Sequence, residues 1–293
     1  MAVYDFLLPK RMRKDGPIVP VVRLEGVISS GGGGVRSGLS LQSAAGPLQK
    51  AFSIKPAPAV AVVINSPGGS PVQSMLIHKR IRQLADEKDK SVIVFVEDVA
   101  ASGGYMIACA GDRIVADPSS VVGSIGVISA SFGFEKAIEK LGIERRVHTA
   151  GTRKMMLDPF SPEKPDDVRR LRALQRSIHE TFIDLVKSRR DSALTGEDKT
   201  LFTGEFWEGR SALGLGLIDE LGDLRSYMRN RYGKDVKLKP VTGRRRLGGL
   251  RIPRMALSGD AGMSPERSLP GLLAADDWIG AIEERALWGR YGL

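Results

Sequence analysis

Ala59-Val-Ala-Val-Val-Ile64 runs directly into Asn65-Ser-Pro-Gly-Gly-Ser70. The first six residues are almost wholly apolar and are bounded by turn formers, which suits a strand buried on both faces of a parallel sheet. Helical periodicity resumes from Pro71 to about Lys88. The pattern then repeats with a strand over Ser91 to Val96, a tight Ala-Ala-Ser-Gly-Gly turn at 100–104 and an apolar helix over 104–110. Further apolar segments follow at Ile114-Val115 and over 121–128, then a helix at about 134–141 and a strand at about 145–149. Upstream, residues 18–28 are rich in β-branched side chains and read as a strand. Gly31 to Gly34 make a mobile loop with no Gly-Lys-Ser/Thr sequel for phosphate, and an amphipathic helix spans 39–52. Alternating strands and helices with short connections predict an α/β protein built on a mostly parallel sheet.

The 293 residues allow one large domain or two modest ones, and 42% hydrophobic content supports a substantial core. Residues 1–17 read as an N-terminal leader and 18–240 as the folded domain. Residues 241–293 read as a basic tail of little packing capacity, with a terminal helix near 278–288. The formal charge is +10, spread along the chain, and marks no specific nucleic-acid partner. One cysteine excludes a disulfide framework and a Cys-rich metal site. No apolar run approaches the roughly 20 residues that span a bilayer. The leader places Lys10, Arg11, Arg13 and Lys14 after a short apolar patch, the reverse of a secretory signal. The expectation is a cytoplasmic protein with at most weak, salt-reversible contact at the inner membrane face.

Chemistry is narrowed by elimination. His78, His148 and His179 stand in no G-x-S-x-G or zinc-helix context, so each reads as a surface or packing residue. Cys109 lies in an apolar run and reads as buried and inert. Two turns remain. Asn65 to Ser70 follows a buried strand and opens a helix, so its backbone N–H groups can hold an oxyanion. Ser102 sits in a similar turn at a helix N-terminus, either as a plain N-cap or as a nucleophile. Two such turns at the same end of neighbouring parallel strands converge on one crevice, and together they favour a serine nucleophile. No histidine is placed to serve it. A lysine can be the base if burial holds it neutral, and Lys154, followed by Met155-Met156-Leu157 and Pro159-Phe160, has apolar flanks that suit this.

NSPGGS at 65–70, ASGGYMIA at 101–108, DRIVADPSSVVGSIGVI at 112–128 and AGTRKMMLDPF at 150–160 resemble the signal peptide peptidase A family of serine peptidases. Residues 202–223, with a G-x-x-A-x-x-x-G-L-x-D-x-x-G pattern, extend the likeness over roughly 18–240. The resemblance implies a Clp-protease/crotonase-like fold of repeated ββα units and a Ser-Lys dyad. Carried over residue by residue, it implies Ser102 as nucleophile, Lys154 as general base and Ser124 as the group that positions the lysine. The oxyanion donors would be Gly103 and either Gly68 or Gly69. No cofactor or metal is implied.

The expected substrate is a peptide or unfolded polypeptide. The expected assembly is a homo-oligomer in which a neighbouring subunit supplies Lys154 to Ser102; larger family members look like tandem halves that divide the dyad, whereas this chain carries both. A crotonase-type acyl-CoA enzyme and a non-catalytic membrane-surface scaffold are the alternatives.

Overall fold

The structure is a computed structural model that describes residues 16–30, 38–242, 282 and 284–293. Residues 1–15 of the leader, the Gly31 to Gly34 loop and most of the basic tail lie outside the described residues. Of the expected terminal helix, 284–289 are helical.

Among the described residues, eight strands make one sheet. β1 (Ile18–Glu25), β2 (Ala59–Ser66) and β3 (Ser91–Ala101) pair in parallel through its centre. β3 then pairs in parallel with both β4 (Arg113–Ala116) and β5 (Val121–Gly123). β6 (Phe206–Glu208) is antiparallel to β5, β7 (Glu220–Leu221) is parallel to β4, and β8 (Lys237–Pro240) lies parallel to β1. The mostly parallel α/β sheet is therefore the one predicted.

Side chains of β2 alternate between two cores, as the strand's two-residue period requires. Val60, Val62 and Ile64 join Leu48 and Phe52 of α1 (Leu41–Phe52) and Ile77, Ile81 and Leu84 of α2 (Pro71–Lys88). Ala59, Ala61 and Val63 join Phe95, Tyr227 and Met228 on the other face, where α6 (Leu224–Tyr232) packs. Phe95 and Tyr227 meet edge to face at 5.5 Å. Ser70 starts α2 by accepting from Gln73 N–H, with Pro71 in the first turn, a pairing that suits the missing proline donor.

Two expectations change. β5 stops at Gly123 rather than running to 128, because Gly123 (φ +102°) and Ser124 (φ +51°) turn the chain out of the strand region. The strand expected at 145–149 is an exposed, irregular segment, and among the described residues no strand lies beside it. Helix α4 (Glu135–Lys140) forms but buries nothing. Helix α5 (Pro165–Arg190) is packed only in its C-terminal half, at Phe182, Val186 and Arg190. Its Leu174 is 58% exposed, and Ile128, Phe132, Leu141 and Ile143 are exposed along the stretch before it. Residues 127–178 thus form an arm with unburied apolar side chains. Among the described residues no helix is long and apolar enough to cross a membrane.

Candidate active site

Three strand ends meet at one place. Register pairs Ala101 of β3 with Gly123 of β5, so the next residues, Ser102 and Ser124, are neighbours. Ser102 N–H donates to Gly123 O at 2.8 Å. Both serines carry φ +51°, a value that few non-glycine residues adopt.

Ser102 precedes α3 (Gly103–Ala108) with φ +51° and ψ −119°, and its side chain makes no capping hydrogen bond. An ordinary N-cap has extended dihedrals and a side-chain oxygen bonded to the first turn. The N-cap reading of Ser102 therefore fails on both counts. Ser102 instead sits in a strained turn between the end of β3 and the start of α3.

Glycines let the neighbouring backbone close around it. A Cβ on Gly68 would lie 2.9 Å from Ala101 O, Gly103 N and the Ser102 Cβ. One on Gly103 would strike Ser74 Oγ, and one on Gly104 would strike Ser66 O. Gly68 N–H is already given to Ser66 Oγ at 3.2 Å, and Ser66 Oγ itself donates to Gly26 O at 2.7 Å. Gly69 is exposed. Its flanking groups bond Ile28, through Gly68 O and Ser70 N, which turns Gly69's own N–H away from Ile28. Of the two N–H groups, that of Gly68 is thus engaged within the turn. Gly103 N–H heads α3, where no preceding turn supplies an acceptor.

Ser124 is buried, with its N–H bonded to Glu205 O at 2.7 Å. Lys154 is exposed and stands in the arm. An open groove of about 440 Å³ beside it is lined by Ala150, Gly151, Thr152, Arg153 and Lys154, without Ser102. No hydrogen bond links the two residues. Within one chain the structure gathers Ser102, Ser124, Gly103, Gly68 and Gly69, and Lys154 shares neither a hydrogen bond nor a groove lining with Ser102.

The other reactive side chains are occupied elsewhere. His78 Nδ1 is bonded to Met106 O of α3 at 3.0 Å, and burial pushes its pKa down to about 4. His179 Nε2 meets Ile125 O at 2.9 Å, at the root of the arm. Burial pushes the Cys109 thiol up to about 12, so it is inert as expected. Among the described residues no three His, Cys, Asp or Glu side chains gather as a metal would require. The sequence carried no signal for the twin left-handed serines, whereas His78 takes the packing role read for it.

A strained serine thus stands at the carboxyl end of a parallel strand and faces a glycine turn, the end of an α/β sheet at which sites are built. The chain belongs to peptidase family S49, whose model matches residues 85–239, which bears out the likeness read from the motifs. A "Na(+)/H(+) antiporter NhaA" of Brucella abortus is 56% identical over 287 residues, covering 98% of this chain and 38% of that protein. "Serine protease SPPA, chloroplastic" of Arabidopsis thaliana is 34% identical over 167 residues, covering 57% of this chain and 24% of that one. The chain therefore spans well under half the length of either relative. A solved mutant of the "1510-N membrane-bound stomatin-specific protease", in complex with a substrate peptide, aligns with a TM-score of 0.47 at 18% identity, over 78% of this chain and 94% of that one.

Proposed function

We propose that the chain is a serine peptidase acting through Ser102, with Lys154 as its base. The observation that carries this reading is the backbone of Ser102, strained at φ +51° with no cap bond to justify it. Strain of this kind persists where the surrounding fold imposes it, and it concentrates at functional sites. An acyl-CoA reading gives the strain no purpose.

Neutral Lys154 Nζ takes the Ser102 hydroxyl proton as Oγ bonds the scissile carbonyl carbon. The carbonyl electron pair moves to oxygen, where the N–H groups of Gly103 and Gly69 donate to it. Collapse breaks the C–N bond, and the lysine returns its proton to the leaving amine. Water, deprotonated by the same amine, then cleaves the ester and restores Ser102. Ser124, one strand over, orients the amine.

Because Lys154 shares no groove lining with Ser102 and stands on an arm with bare apolar side chains, the reading includes an assembly in which a neighbouring copy delivers it. Closed rings follow naturally from such head-to-tail contacts. The outward N–H of Gly69 suits an extended peptide paired through its main chain, so short or unfolded chains are the substrates.

The test is hydrolysis of casein or a short peptide by the wild type, S102A, K154A, and S102A co-expressed with K154A. Either single variant should be inactive, and mixed assemblies should regain part of the activity. An active S102A removes the serine reading. Mixed oligomers that form yet stay inactive remove the shared site.

A further inference from the structure

Within the arm, one well-shielded ion pair closes the loop that carries Lys154. Arg145 Nη1 donates to Asp158 Oδ2, on a side chain only 4% exposed. The same carboxylate accepts from Ser161 Oγ at 2.8 Å and from Phe160 N–H at 3.3 Å. The Arg145 guanidinium stacks 4.8 Å from the centre of the Phe160 ring, which in turn lies 5.6 Å from Phe134. Phe134 N–H donates to Pro159 O at 2.6 Å. In a segment with almost no core, these contacts shut the loop from 145 to 158, with Lys154 inside it.

The arrangement also has an electrostatic side. Asp158 is the one carboxylate within four residues of Lys154 in either direction. A free carboxylate beside a lysine favours its ammonium form, which cannot act as a base. Arg145 occupies that carboxylate, and its hydrogen bond holds the Asp158 pKa down at about 2. The remaining charges of the loop and the adjoining helix are Arg153, His148, the Glu144–Arg146 pair, and Glu135, Lys136, Glu139 and Lys140 of α4.

We propose that Arg145 is a positioning residue for Lys154: its pair with Asp158 fixes the loop that carries the lysine and withholds that carboxylate from it. The proposal rests on reading Lys154 as the base.

The experiment measures kcat and KM for a short chromogenic peptide across the neutral-to-alkaline range, on the full chain. The variants are R145Q, R145K, D158N, R145Q/D158N and K154M. R145Q should lower kcat about tenfold at neutral pH, with KM within about twofold, and move the rising limb of the profile upward by about one pH unit, the size of shift a single neighbouring charge produces. R145K should hold the limb in place. R145Q/D158N, which leaves no carboxylate to capture the lysine and no unpaired charge, should bring it back. A limb unmoved in R145Q, or moved and not restored in the double variant, overturns the proposal. K154M separates the two layers: if it turns over like the wild type, the base reading fails. If it is inactive while R145Q keeps the wild-type profile, only the positioning role fails.

Discussion

Replacing Ser102 by glycine should make the protein more stable while abolishing its activity. At φ +51° and ψ −119° a residue with a Cβ bears about 1–3 kcal/mol of strain. Alanine keeps the Cβ and so keeps the strain. Glycine sheds it, but gives up about 0.5–1 kcal/mol through the freedom it gains in the unfolded chain. S102G should therefore exceed S102A by about 0.5–2 kcal/mol, since neither variant can do chemistry. For a domain of this size about 2–4 °C accompanies each kcal/mol, so the two unfolding midpoints should differ by a few degrees. Thermal and urea unfolding, at one protein concentration for both variants, measures the difference. An S102G no more stable than S102A would mean that the turn is not strained, and the argument for a nucleophile would lose its footing.

Three further outcomes follow from buried groups. His78 titrates near 6.5 when unfolded but near 4 when folded, so the unfolded chain binds the proton first; stability is intact above pH 6.5 and lost as pH falls toward 4, by about 2 kcal/mol at pH 5. Urea midpoints should follow that slope and H78Q should flatten it; an unchanged slope would place the effect elsewhere. Arg190 holds Asp219 through two bonds of 2.9 and 3.1 Å, with side chains 5% and 13% exposed. D219A strands the buried guanidinium and should cost about 3–5 kcal/mol, and a midpoint within error of wild type contradicts this. Cys109, with its thiol pushed up to about 12, should ignore a maleimide until urea unfolds the chain; rapid labelling of the native protein would show that the thiol is accessible.

Where local chemistry and tertiary role agree, the sequence is readable. The run from Ala59 to Ile64 reads as a doubly covered strand because both of its faces are apolar. Pro71 opens α2 at the predicted residue. Ser102 was legible as a cap or a nucleophile, and only its dihedrals decide between them, since nothing in Ala-Ser-Gly-Gly encodes a φ. Val147 among neighbouring branched and polar residues resembles a strand, but a strand exists only where another supplies its hydrogen bonds, and the arm stands off the sheet. That Lys154 would come from a neighbouring copy was an expectation drawn from the family resemblance, since no local signal says which way an arm points.

Among the described residues, the first and last strands lie side by side: Lys237 N–H bonds to Pro17 O and Val241 N–H to Val21 O. Register sets Ile18 beside Lys237, roughly two hundred residues later. During synthesis β1 can take up β2 early, yet its outer edge stays bare until β8 leaves the ribosome. At about 5–20 residues per second this lasts on the order of 10–40 s. An unpaired edge is a template for wrong partners, so the nascent chain is most exposed to misassembly during that interval. A chain truncated ahead of Lys237 would remain in that condition permanently.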